Sequence, residues 1–124
     1  MKKALKTLLI LIAFGILSGF GTYEFLSGVN KEKDRIEVSF NRKINSSDLI
    51  KIKKSLAVNG ISITYNSFKF DENGGLTSLS FKVDCNDGFK GGATKTDIDN
   101  KTKWGFFRDY SEKAESPFGT GVLR

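Results

Sequence analysis

The side chains that most often perform chemistry are scarce in this chain. Histidine is absent and cysteine occurs once, at Cys85. This removes Ser-His-Asp and Cys-His nucleophiles, the HExxH zinc site, multi-cysteine zinc sites and any disulfide within the chain. Three stretches still hold groups able to act. Asp84-Cys85-Asn86-Asp87-Gly88 is oxygen-rich. The calcium loop of an EF-hand needs Gly at its sixth position and Glu at its twelfth, whereas here Gly falls fifth and Lys95 stands twelfth, so a hairpin turn is expected. Cys85 follows Leu79, Phe81 and Val83 at even spacing. Its thiol should therefore continue an inward face as an inert group, the alternative being a bridge to a second chain. Asp97 and Asp99 flank Ile98 and could pair for acid–base work, but no partner group accompanies them and solvated loop acids are expected. No catalytic residue, metal or cofactor is assigned.

The remaining candidate is aromatic. Trp104-Gly105-Phe106-Phe107-Arg108-Asp109-Tyr110 is the densest such cluster. In a strand, Trp104, Phe106 and Arg108 share one side while Gly105, Phe107 and Asp109 share the other. One side must pack, and alternation alone does not say which. Interfaces favour Trp, Tyr and Arg, so Trp104, Phe106, Arg108 and Tyr110 are the expected binding residues. The opposite phase would make this side a core strand. Phe107 would then be the outward ring.

The elements that position these residues begin with a membrane signal. Lys2, Lys3 and Lys6 precede Thr7–Tyr23, a run with no charge. Seventeen residues at about 1.5 Å each span roughly 26 Å, near the lower limit for a bilayer core. Leu8, Leu9, Ile10, Leu11, Ile12, Phe14, Ile16, Leu17 and Phe20 would form the anchor. The alternative is a signal peptide cleaved near Gly19-Phe20-Gly21, a site without alanine at either small position. Either way the leading lysines hold the N-terminus inside and send the rest outward. The expected organisation is anchor or signal over 1–24, stalk over 25–34 and an extracytoplasmic domain over 35–124.

Within that domain, Ile36, Val38 and Phe40 alternate as a half-buried strand. Asn45-Ser46-Ser47-Asp48 offers capping oxygens, Leu49, Ile52 and Leu56 recur at helical spacing, and Asn59-Gly60 ends a helix from about Ser47 to Val58. Ile61, Ile63 and Tyr65 are out of phase with Phe68 and Phe70, which predicts a β-bulge at Asn66-Ser67. Asn73-Gly74 suits a type I′ hairpin with both residues at positive φ, leading into a strand over Leu76–Asp84. Phe89–Thr94 is weakened as a strand by Gly91 and Gly92, and residues 116–121 read as turn and coil. The expected fold is α+β, one helix packed on a single, mostly antiparallel sheet of four to five strands in the order β-α-β-β-β.

Residues 48–83 also carry a resemblance. Asp48-Leu49, Ile52-Lys53, Leu56, Gly60-Ile61, Tyr65, Asn73, Gly75-Leu76-Thr77, Leu79, Phe81 and Val83 are spaced as in a small domain that resembles the extracytoplasmic module attached to BlaR1-like M56 membrane peptidases of Bacteroidota. The resemblance implies a sensing or docking module. It carries no proteolysis, because a chain without histidine cannot hold the peptidase zinc motif.

Charge adds little to function. The net charge is +6, and removing Lys2, Lys3, Lys6 and Glu24 from the 20 basic and 14 acidic residues leaves 17 against 13. The cations crowd into Lys31–Lys54, close to where the chain leaves the membrane, and could touch anionic headgroups. Nucleic acid is not an expected partner. The expected function is a single-pass inner-membrane protein whose periplasmic domain binds an envelope or membrane protein, without catalysis. The alternative is a small-ligand or lipid-binding domain, secreted if the signal is cleaved, with Phe68, Phe70, Phe81 and Trp104 lining the ligand.

Overall fold

Ile36 and Val38 turn inward while Arg35 and Ser39 alternate with them, the period-2 pattern that makes a strand one-sided. The same rule builds most of the molecule, whose computed structural model describes residues 29–32 and 34–123. The apolar run 7–23 and residues 25–28 of the expected stalk lie outside the described residues. Among the described residues no helix is long and apolar enough to cross a membrane. The elements are β1 (Val29–Glu32), β2 (Arg35–Ser39), α1 (Ser46–Val58), β3 (Ser62–Phe70), β4 (Leu76–Asp84), β5 (Lys90–Lys95), β6 (Trp104–Asp109) and β7 (Phe118–Val122).

The strands form two antiparallel sheets, β1-β2-β6-β7 and β3-β4-β5. This corrects the single-sheet α+β expectation: among the described residues the fold is mostly β, with two sheets and one helix that packs on β3. Three segments account for the difference. Residues read as stalk supply β1, with Val29 opposite Val38 and buried. The glycine-weakened stretch is β5, because Gly92 lets the backbone approach closely: a Cβ there would lie 2.5 Å from the Phe81 carbonyl. The tail read as coil is β7, paired along the outer edge of β6. The strand Arg35–Ser39 therefore lies between β1, its neighbour in sequence, and β6, about seventy residues away, and does not pair with β3 or β4.

The helix follows its sequence signals closely. Asn45 accepts from the Asp48 amide at 2.9 Å and Asp48 accepts from the Asn45 amide at 3.0 Å, a reciprocal capping box. Gly60, at φ +80°, ends the helix as expected. Leu49, Ile52 and Leu56 are its buried face. The predicted bulge is present: Tyr65 pairs with Phe81 and Ser67 with Ser80, leaving Asn66 extra. The hairpin after it is different from expectation. Gly74 alone is at positive φ, +85°, and its amide donates to the Asp71 carbonyl at 3.0 Å. This is a type I turn closed by a left-handed glycine, so Asn73 needs no unusual backbone.

The two sheets and the helix enclose one core. At its centre Phe81 packs against Trp104 with ring centroids 5.4 Å apart, against Phe40 at 5.5 Å and against Phe106 at 6.1 Å. Where the sheets meet, the Phe118 ring lies over Gly91 and Thr120 Oγ1 donates to the Gly92 carbonyl at 3.0 Å. The helix closes the opposite side through the Tyr65 hydroxyl, which donates to the Leu49 carbonyl at 2.7 Å.

Candidate functional site

β6 is central in its sheet, and its phase is now set. Trp104 is 4% exposed and Phe106 fully buried, so both belong to the core and neither is an outward binding residue. The reason is the neighbour on each side: β2 presents Val38 opposite Phe106, and the whole row points at Phe81. Phe107 takes the outer side, half-buried between Gly119 and the Arg35 guanidinium, which stands 4.1 Å from its centroid. Beside it Glu37, 6% exposed although on the outer face, is held by Arg35 at 3.0 Å and Lys103 at 2.7 Å. Burial alone would raise the Glu37 pKa, but the hydrogen bonds and charges of Lys103 and Arg35 bring it below its ordinary value.

The other two expected binding residues, Arg108 and Tyr110, do come together at the far end of β6. Arg108 is nearly buried. Its Nε and Nη2 donate to Asp87 Oδ2 at 2.9 and 2.7 Å, and its Nη1 donates to the carbonyls of Asp109 at 2.6 Å and Pro117 at 3.1 Å. The rings of Phe89 and Tyr110 lie 4.5 and 4.4 Å from the guanidinium carbon. One cation thus ties the β4–β5 turn of one sheet to two strand ends of the other. Asp87 and Phe89 are members of this cluster that sequence reasoning placed only in and after a turn. Nothing local signals their role, because the pairing with Arg108 spans 21 residues and two sheets.

The cluster presents a fixed cation beside a buried thiol and a phenol. Cys85 is 5% exposed, and burial, with Asp87 and Asp84 adding and Arg108 opposing, pushes its thiol up to about 11. It stays protonated at neutral pH and is a poor nucleophile. Burial likewise raises the Tyr110 phenol, which keeps it neutral. The carboxylates weighed for calcium are already engaged: Asp84 accepts from the Asn86 amide at 2.8 Å and Asp87 is held by Arg108. Asp97 pairs with Lys95 at 3.4 Å, and Asp99 accepts from the amides of Lys101 and Thr102 at 3.0 and 2.7 Å, so these two acids order their own loop. Among the described residues no group of three metal-ligating side chains converges.

The residues expected to line a ligand do not share a space. Phe81 and Trp104 pack on each other in the core, whereas Phe68 is 50% exposed and rests on Phe70 at 5.6 Å. An open depression of about 800 Å³ lies instead on the outer face of β3-β4-β5, among Ser62, Thr64, Ser80, Lys82, Lys90 and Thr94. No protein-family model, curated protein or solved structure matches the chain. The resemblance of residues 48–83 to the BlaR1-associated module rests on sequence spacing alone.

Proposed function

We propose that this protein is a membrane-anchored, extracytoplasmic interaction module that docks an envelope protein at the end of the fold bearing Tyr110 and Arg108, and that it performs no catalysis. The observation that carries this reading is the state of Tyr110. Its ring is 43% exposed, yet it is stacked on a guanidinium already fixed by Asp87 and two carbonyls. Ordering a side chain on association costs about 0.5–1.5 kcal/mol, and here that ordering exists before a partner arrives. Tyr and Arg are also the residue types that concentrate binding energy. The uncharged run 7–23 behind three lysines supports the anchor and the export of the domain.

The test is to place a photo-crosslinking amino acid at position 110 in the full chain, in native membranes, with position 64 on the opposite sheet as the control. A discrete adduct with one envelope protein from position 110, absent from position 64, is the expected result. Equal adducts from both positions, or none from position 110, would refute the docking site.

A further inference from the structure

The domain starts much closer to the membrane than a ten-residue stalk would allow, and its strand directions decide which end is near. We infer that the end of the four-stranded sheet carrying Lys43, Lys101, Lys103 and Val122 rests on the phospholipid headgroups, which leaves the Tyr110 end outermost. This rests on the reading of residues 7–23 as an uncleaved anchor.

Because β1 begins at Val29, only Glu24–Gly28 separates the uncharged run from the sheet. Five residues reach at most about 18 Å when fully extended. Val29 pairs with Val38, Ser39 with Gly105, and Trp104 with Val122, so the tethered end of β1 shares one end of the sheet with the end of β2, the start of β6 and the end of β7. Tyr110 lies at the other end, where its amide donates to the Asp34 carbonyl at 2.7 Å. Strands of this length, at about 3.4 Å per residue, separate the two ends by roughly 17–20 Å. The loop 110–117 extends beyond them. Bringing the Tyr110 end down would hold Val29 roughly 17–20 Å from the bilayer and draw the tether to its full extension.

The near end also has the chemistry of a headgroup contact. Lys43 and Lys101 are exposed and make no ion pair among the described residues. Lys103 spends one donor on Glu37, yet its side chain remains 55% exposed. Of the acids at this end, Asp71 is paired with Arg42 and Asp97 with Lys95, whereas Asp99, held by the amides of its own loop, and Glu72 keep their charge. Ammonium groups so placed attract lipid phosphates. Val122, 64% exposed beside them, offers an apolar contact at interfacial depth.

The experiment uses the full chain in a Cys85→Ala background, reconstituted into phosphatidylcholine–phosphatidylglycerol vesicles. A fluorophore is attached at Val122→Cys, Lys101→Cys or Lys113→Cys, and quenching by a headgroup spin-labelled lipid is read. Two near-end positions are used so that a folding defect in one does not decide the result. Loss of fluorescence at positions 122 and 101, with position 113 unquenched, is the expected pattern. Equal or reversed quenching in a chain that stays with the vesicles at alkaline pH overturns this orientation alone. A chain released from the vesicles by alkaline wash overturns the anchor reading and this inference together.

Discussion

Replacing Trp104 with alanine should cost far more stability than replacing Phe107, its near neighbour on the same strand. Trp104 is 4% exposed and meets Phe81 edge-on at 5.4 Å and Phe40 at 6.0 Å. Truncating so large a buried ring removes its transfer free energy and leaves a cavity, together about 3–5 kcal/mol. Phe107 loses less. It is half-buried on the outer face, so roughly half of a 1.5–3 kcal/mol burial is at stake, with about 0.5–1 kcal/mol more for the Arg35 guanidinium above it. The expected costs are therefore about 4 and about 2 kcal/mol. At about 4–8 °C per kcal/mol for a domain of this size, the difference is resolvable in a thermal melt. Circular dichroism is the appropriate signal, since Trp104 is the chain's one tryptophan and its loss abolishes the fluorescence probe. A Phe107→Ala variant less stable than Trp104→Ala would mean that β6 is turned the other way and that the core described above is wrong.

The remaining predictions concern charge and backbone. Asp87→Asn keeps the shape of the β4–β5 turn but leaves the Arg108 guanidinium without its counter-charge. A broken buried pair costs about 3–5 kcal/mol, and because the Asp87 side chain is 32% exposed we expect about 1–3. Urea unfolding indistinguishable from wild type would show that the two carbonyls hold Arg108 unaided. The depressed Glu37 pKa means that its contribution is complete above the ordinary value of 4.5 and is lost as pH falls through the lower folded value. Glu37→Gln should therefore flatten the loss of stability below pH 4.5, and an unchanged pH profile measured by urea titration would exclude this role. Gly74→Ala should cost about 1–2 kcal/mol for its φ of +85°, since a Cβ there meets no other atom, whereas Asn73→Ala should be nearly neutral. Equal costs in thermal melts would return the turn to type I′.

Much of this fold was legible wherever neighbouring residues settle the outcome. The capping box at Asn45 and Asp48, the Gly60 stop, the extra residue at Asn66 and the inward row of Leu79, Phe81, Val83 and Cys85 all follow from spacing within one element. The candidate site was half legible. Arg108 and Tyr110 were identified by type, but Asp87 and Phe89, which hold and flank the guanidinium, carry no local signal. Trp104 and Phe106 were grouped with them by alternation and belong to the core.

Periodicities, caps, turns and the uncharged run 7–23 can be read along the chain because each depends on residues a few positions apart, and the lack of histidine is a matter of composition. Contacts between distant strands, by contrast, set the division into two sheets, the pairing of β2 with β6 and the inward direction of the Trp104 side of β6. Alternation assigns side chains to two faces without saying which face finds a partner. That choice is made by the apolar surface available from distant strands, here Phe40, Val38 and Phe81, to which Trp104 and Phe106 pack more favourably than Phe107 could. The weakly patterned β1, β5 and β7 likewise become strands because a neighbouring edge offers them hydrogen bonds, a contribution that no local propensity records.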